Sequence, residues 1–455
     1  FGTYKLGTPG SANLSAFVAE NWYKTLFGRP PDFMMLNRLT EYLIRNEGQL
    51  KKALQLTYQF VFVDEFQDTT FSQYDLVSTI IQCTGAAVTA VGDNKQRIMV
   101  WAGAKPDSFS SFFTDFRAAK HTLLANYRSA PELVRIQNCL ALELEPGSQK
   151  TISAALPLID ENVAAIWNFQ DPSSEFSYLA NWLVADQSAR NLAPQDYAIL
   201  VRQKPDDFHA SLSKAFSHAG IEICNQAQKL GKTTMQDLLS DEFFQFLAGL
   251  IRLSVSKRTP RAWTLCSEVI DVLFSPSENN SSGPSLDSIL DRVEPIFLRF
   301  DDAATRLCDF FETVIDCLGE ETIREAFPDL TNKDNYAIFV DAFYKHAAAC
   351  ASNATDWNQF VDYFEAAGQI PLLTVHKSKG LEYDTVVFIG LDDDSWWSYP
   401  SSSAEGNATF FVALSRAKQR VIFTYSKGAN GRQKVSDLYR LLKDAGVPEQ
   451  LIEAK

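Results

Sequence analysis

The order of elements along the chain predicts a parallel α/β fold interrupted by an all-α insertion. Two observations carry that expectation. Short apolar, β-branched runs alternate with helical stretches from about residue 59 to 224 and again from about 372 to 424. Between them, from about Met235 to Ala367, strand alternation gives way to a helical texture rich in Phe and acid. Length adds a third: 455 residues exceed what one core usually organises, so several domains are expected.

Each element has a local reason. Residues 34–58 carry leucines at near-helical spacing among many charges. The run 59–63 is a strand, Tyr74 to Gln82 a helix, and Ala86 to Val91 a buried strand that stops at Gly92-Asp93. Thr122 to Ala125 is a short strand, and Pro131 opens a helix to about Leu142, since proline suits a first helical turn. Strand Val163–Phe169, helix Glu175–Gln187, strand Tyr197–Arg202, helix Phe208–His218 and strand Ile221–Cys224 follow. The Ser, Asn, Gly and Pro run from Ser275 to Pro284 divides the helical insertion in two. Afterwards come strand Leu372–Val375, strand Thr385–Ile389, a helix around Thr409–Lys418 and strand Arg420–Thr424. The resulting domains are 1–117, 118–234, the insertion 235–367, and 368–455.

Composition narrows the class. Hydrophobic residues make up 46% and charged residues 22%, as in globular proteins, and no apolar run reaches the roughly 20 residues of a membrane span. The seven cysteines are scattered without a C-x-x-C, and the five histidines form no ligand pair. Neither a disulfide framework nor a zinc site is expected, and the expected compartment is a reducing cytoplasm. A net charge of −14 argues against a surface that coats nucleic acid everywhere, but leaves room for a local basic groove. The acid concentrates between Asp301 and Glu365, while the first sixty residues lean basic through Lys5, Lys24, Arg29, Arg38, Arg45, Lys51 and Lys52.

Five segments carry chemistry. Val61-Phe62-Val63-Asp64-Glu65-Phe66-Gln67-Asp68 is an apolar strand ending in adjacent carboxylates. Asp64 there can hold Mg²⁺, and Glu65 can polarise an attacking water. In the segment Gly92–Ala104, Gln96 offers a neutral amide to a terminal phosphate and Trp101 a face for base stacking, although a core Trp is the plainer reading of that residue alone. In Asn126-Tyr127-Arg128-Ser129, Tyr127 can stack on a purine while Arg128 reaches phosphate oxygens. The segment from Leu373 to Asp384 combines Thr374, His376, two lysines, the turn glycine Gly380 and Glu382, which suits backbone phosphates on one side and a sugar hydroxyl on the other. In Phe411–Lys418, Arg416 follows an apolar run and suits either an arginine finger or a structural ion pair.

In this order, the strings D-E-F-Q-D, N-Y-R-S, H-K-S-K-G-L-E-Y and V-A-L-S-R-A resemble the superfamily 1 DNA helicases of the UvrD/Rep type, over about residues 50 to 440. The resemblance implies two RecA-like parallel-sheet domains, the first incomplete, with a helical insertion in the second. It implies an ATP-dependent translocase or helicase that moves 3′→5′ on single-stranded DNA or from a 3′ single-stranded tail. Asp64 and Glu65 would serve Mg²⁺ and hydrolysis, Gln96 would couple the γ-phosphate to DNA, and Arg128 and Arg416 would contact that phosphate. Tyr127, Gly380 and Glu382 would hold the nucleotide, with Tyr127 on adenine and Glu382 on the ribose. Trp101, Thr374 and His376 would face the strand.

The chain also departs from that pattern. No G-x-x-x-x-G-K-[ST] loop lies in the sixty-three residues before Asp64, and Gly231-Lys232-Thr233 reads as a decoy, because Gln226 stands where the first glycine belongs. The expectation is that a segment preceding Phe1 supplies the phosphate loop, and that without it the chain hydrolyses ATP poorly. Met99 stands where the family usually has Tyr, and Ala102 where it usually has Arg. The alternative reading is a helicase-like DNA-binding or scaffold subunit without ATPase activity, with the acidic insertion as a docking face. A third combines both, in a compact relative working beside a nuclease in repair or in a defence system such as Gabija.

Overall fold

The computed structural model describes residues 33–82, 84–159, 163–256, 259–274, 283–427 and 431–453. The basic residues Lys5, Lys24 and Arg29, Cys83 and most of the Ser275–Pro284 run lie outside the described residues. The chain forms two compact units. One holds the described residues up to Ala165 with 391–421 and 431–449; the other holds 166–390 with 422–427 and 450–453.

In the first unit, strand Phe60–Val63 pairs in parallel with Ala87–Ala90, in the register Phe60 to Ala87 through Val63 to Ala90. One face of this pair supplies Val63, Val88 and Ala90 to a small core around Phe66, Tyr74 and Phe112. Phe66 anchors it, with edge-on contacts to Phe109 and Phe112 at 5.2 Å each. The helix Phe71–Ile81 begins at a capping box, in which the Thr70 hydroxyl accepts from the Gln73 N–H and the Gln73 side chain accepts from the Thr70 N–H. The expected helix 34–58 is two helices, Phe33–Asn46 and Gly48–Thr57, broken at Glu47 before a glycine. Buried Arg38 of the first donates to Asp75 at 2.5 Å. A second parallel pair, Ala125–Asn126 with Ile152–Ser153, lies in the same unit with helix Pro131–Leu144.

Among the described residues, the largest sheet has seven strands. Its order is Glu449–Leu451, Ala164–Phe169, Ala417–Ser426, Tyr383–Phe388, Tyr197–Val201, Gln369–Thr374, Glu222–Asn225. Tyr197–Val201 runs parallel to both Tyr383–Phe388 and Gln369–Thr374, and the latter runs parallel to Glu222–Asn225. Tyr197–Val201 and Tyr383–Phe388 are buried at every position, as expected for parallel strands covered on both faces. The α/β expectation is therefore borne out.

The helical insertion is also observed. Helices Glu242–Val255, Pro260–Leu273, Leu286–Val293, Ala303–Leu318, Lys333–Asn353 and Trp357–Phe364 share one core. Phenylalanine dominates it: Phe243, Phe244, Phe246, Phe310, Phe343, Phe360 and Phe364 are all buried. Arg252 closes its rim, donating to Glu365 at 2.6 Å and to Asp362 at 2.8 Å. Gly231-Lys232 forms the two-residue turn of a small antiparallel hairpin, Lys229–Leu230 with Thr233–Thr234. Among the described residues, no helix is long and apolar enough to cross a membrane.

Candidate nucleotide and DNA site

Strand Phe60–Val63 delivers Asp64 and Glu65 to its open end, where both are exposed. The chain turns sharply there. Glu65 adopts a left-handed backbone (φ 48°) and leads into the turn Phe66–Asp68. The Asp64 carboxylate accepts the Glu65 N–H at 2.8 Å, its one bond to the described residues. A Mg²⁺ ion that brings its own waters and phosphate oxygens needs one or two protein carboxylates, and Asp64 fits that mode. The described residues contain no cluster of three or more His, Cys, Asp or Glu that could hold a metal by themselves.

Glu65 is tied inward by Gln67. The Gln67 amide donates to Glu65 Oε2 at 2.5 Å, and its oxygen accepts the Asp93 N–H at 3.0 Å. Gln67 is 1% exposed, so this amide is fixed by burial as well as by its bonds. Gly92 makes the approach possible. A Cβ there would lie 2.2 Å from Gln67 Oε1 and 2.9 Å from the Phe66 nitrogen.

Asp93 continues the relay. Its carboxylate accepts the Lys95 N–H at 3.1 Å, pairs with the Lys95 ammonium at 2.6 Å and accepts from the Gln96 amide at 3.2 Å. The Gln96 oxygen accepts from Arg416 Nη2 at 3.1 Å. Arg416 is 2% exposed, and it also donates to the Val412 carbonyl at 3.1 Å and to Ser415 Oγ at 2.8 Å. The Ser415 carbonyl accepts from Arg128 Nη1 at 3.1 Å. Glu65, Gln96, Arg416 and Arg128 thus belong to one hydrogen-bonded set within the first unit.

Local structure explains how each arginine is aimed. Asn126 Oδ1 accepts the N–H groups of Arg128 and Ser129, both at 2.9 Å, which folds N-Y-R-S into a tight side-chain turn. The Ser129 hydroxyl then donates to the Ala417 carbonyl at 2.8 Å, and the Ala130 N–H to the Lys418 carbonyl at 2.7 Å. The N-Y-R-S segment is therefore sewn to the residues that follow Arg416. The same turn turns Tyr127 outward, where it is 81% exposed. Trp101 sits on the short turn Val100–Ala102 and is 71% exposed, so it is not a core tryptophan.

Thr374, His376, Gly380 and Glu382 lie in the second unit, on the segment leaving strand Gln369–Thr374. Thr374 Oγ1 accepts the Lys377 N–H at 3.3 Å, and the Thr374 carbonyl accepts the Ser378 N–H at 3.0 Å, winding the chain into a compact turn. Buried Ser378 donates to the Val375 carbonyl at 2.8 Å. Gly380 takes φ 83°, a backbone that side-chain-bearing residues rarely adopt, and releases the chain toward exposed Glu382 and strand Tyr383–Phe388.

Sequence reasoning assigned no role to Gln67, Asp93 or Ser415, the residues that join the others. Gln67 was visible within D-E-F-Q-D, and Asp93 at a strand end beside a glycine. Ser415 had no signal beyond its place before Arg416.

Comparison with known proteins finds helicase-like domains in this chain. Residues 17–117 match the UvrD/REP helicase N-terminal domain, and residues 351–428 match the UvrD-like helicase C-terminal domain. The ATP-dependent DNA helicase Rep of Escherichia coli (strain K12) is 31% identical over 449 residues, covering 87% of this chain and 64% of that protein. The Rep helicase of Buchnera aphidicola subsp. Acyrthosiphon pisum is 22% identical, covering 90% of this chain and 69% of that protein. The ATP-dependent DNA helicase PcrA of Staphylococcus aureus (strain MRSA252) is 23% identical, covering 93% and 62%. The chain thus spans about two thirds of the length of these relatives. The matches mark UvrD/Rep-type helicase domains in it, one N-terminal and one C-terminal in kind, and the parallel α/β architecture is the one such RecA-like domains have.

Proposed function

We propose that these helicase domains belong to an ATP-driven translocase or helicase that runs 3′→5′ on single-stranded DNA and acts in the cytoplasm. The observation that carries this reading is the unbroken relay from Glu65 through Gln67, Asp93 and Gln96 to Arg416. An acid that activates water and a cation that answers the charge developing on a transferred phosphoryl group are the two parts such a reaction needs. Here they are linked through an amide, Gln96, whose oxygen accepts from Arg416 and whose N–H, now donated to Asp93, can be donated to a phosphate oxygen instead.

In this reading Glu65 orients the attacking water and takes up its proton. Asp64 would hold Mg²⁺, which when bound neutralises the phosphate oxygens. Arg128 and Arg416 stabilise the negative charge of the γ-phosphoryl group as it passes to water and the diphosphate leaves. Tyr127 presents its face to adenine, with Gly380 and Glu382 completing the nucleotide contacts. Trp101, Thr374 and His376 engage DNA, and the exposure of Trp101 supports stacking on a base.

The test is ATP hydrolysis by the product of the complete gene, with and without single-stranded DNA, beside Glu65→Gln. Turnover that rises with DNA and disappears in Glu65→Gln, with nucleotide binding kept, is the expected result. No turnover would favour the scaffold reading, and turnover indifferent to DNA would contradict a DNA-driven translocase. A pull-down recovering a nuclease would add the joint repair or defence role.

A further inference from the structure

Lys377 lies within H-K-S-K-G, beside residues assigned above to DNA. Its ammonium pairs with Asp237 Oδ1 at 2.7 Å. The Asp237 side chain is 50% exposed and that of Lys377 38%, and an ion pair so open to water contributes little to stability.

The two partners are anchored very differently. Asp237 sits in the first turn of helix Met235–Ser240, where the Thr234 hydroxyl donates to its Oδ2 at 2.6 Å and accepts its N–H at 3.3 Å. Burial works against its ionisation, but the hydrogen bonds from Lys377 and Thr234 prevail and hold its carboxyl below the usual carboxylate range. The Lys377 main chain is pinned as well: its carbonyl accepts from the Gln236 amide at 2.8 Å, and its N–H donates to Thr374. The Gln236 N–H in turn donates to the Gln226 carbonyl at 2.8 Å, and the Gln226 N–H to the Leu372 carbonyl at 3.1 Å, which ties the clamp to strand Gln369–Thr374. What is left to move is the Lys377 stem of four carbons.

We propose that Lys377 is a phosphodiester-contacting residue of the DNA site, with Asp237 as the resting counter-ion that it leaves when a backbone phosphate arrives. This rests on the reading that Thr374 and His376 face a single strand. Asp237 keeps its Thr234 hydrogen bonds after the exchange, so losing the lysine costs it little. The phosphate gains a full positive charge at a fixed point of the main chain and releases a condensed cation. Asp237 thereby tunes affinity downward, a useful property where a strand must be released at every step.

Binding of a fluorescent oligothymidylate by the chain, followed by anisotropy over a range of KCl concentrations, tests this. Lys377→Ala should weaken binding and flatten the plot of log K against log salt by about 0.7. Asp237→Asn should tighten binding about two- to fivefold, because the resting pair no longer has to be broken. In the Lys377→Ala background, Asp237→Asn should change nothing. Equal tightening in both backgrounds would mean that Asp237 merely repels DNA and would overturn the exchange. Weaker or unchanged binding by Asp237→Asn alone would overturn it too. If the wild-type chain binds no oligothymidylate, the reading of this segment as a DNA site falls, and the proposal with it.

Discussion

The strand that carries the acid pair and the central strands of the large sheet are both rich in apolar residues and end in opposite surroundings. Phe60–Val63 alternates exposed and half-buried positions, with Phe60 72% and Phe62 76% exposed. Tyr197–Val201 and Tyr383–Phe388 are buried throughout. The large sheet is held by burial. The carboxylate end of the small pair is held by directed bonds: Gln67 to Glu65, Gln67 to Asp93, Asp93 to Gln96. The chemistry proposed for Asp64 and Glu65 would therefore sit at an end held by directed bonds and not by burial, a common arrangement for sites that must open and close around a ligand.

The contrast can be broken by substitution. Phe388→Ala should cost about 3–5 kcal/mol, since its ring is wholly buried, whereas Phe62→Ala should stay within about 0.5 kcal/mol. Urea unfolding of the two variants decides it, and equal costs would erase the distinction. A smaller effect is expected from Gly92→Ala, where the new methyl must push Gln67 and the Phe66 backbone apart. A loss of about 1–3 kcal/mol is expected, together with a fall in ATP turnover, because the Glu65 tether moves. A Gly92→Ala variant with unchanged turnover would show that the tether does not set the position of Glu65.

A third prediction sharpens the comparison on the helical side. His346 is 3% exposed, with Nε2 at 2.9 Å from the Phe364 carbonyl and its ring stacked on Phe364. Burial pushes its pKa down, only partly offset by the Phe364 carbonyl. A folded pKa below the unfolded value of about 6.5 means that the unfolded chain takes up the proton first. This contribution is therefore complete above pH 6.5 and is lost as pH falls from there to the lowered folded value, by at most about 1.4 kcal/mol per pH unit. Urea midpoints at pH 7.5 and 5.5 measure it. His346→Gln should remove that part of the decline, and an unchanged decline would assign it elsewhere.

Amide exchange gives the mildest expected contrast within ordered strands. The amides of Val386, Val387 and Phe388 should exchange only with global unfolding, and those of Val61 and Phe62 through local opening. Equal protection would mean that the small pair opens only with the whole.

Much of the fold was legible because periodicity reports burial directly. The fully apolar run Tyr197–Val201 and the Phe-spaced insertion helices left little doubt about their kind. The division of the first helix at Glu47-Gly48 was less legible, because leucine spacing continues across it and a single glycine decides the break. Within the site, residue types marked the acids, the amide and the arginines. The connectors were harder to read, because the partners of Gln67, Asp93 and Ser415 are set by turns and strand ends that bring distant segments together. The outward position of Trp101 was open for the same reason, since tryptophan spacing alone does not distinguish a core ring from a platform.

The central claim is that Gln96 couples the acid end of the relay to its arginine end. Gln96→Ala tests it most directly, in the complete gene product, by ATP turnover with and without single-stranded DNA. Gln96→Ala removes a bond to Asp93 and one from buried Arg416, so a modest stability loss of about 1–2 kcal/mol with the fold kept is expected in urea. The account predicts that DNA stimulation collapses while nucleotide binding and the fold persist. Stimulation equal to that of the wild type would contradict it.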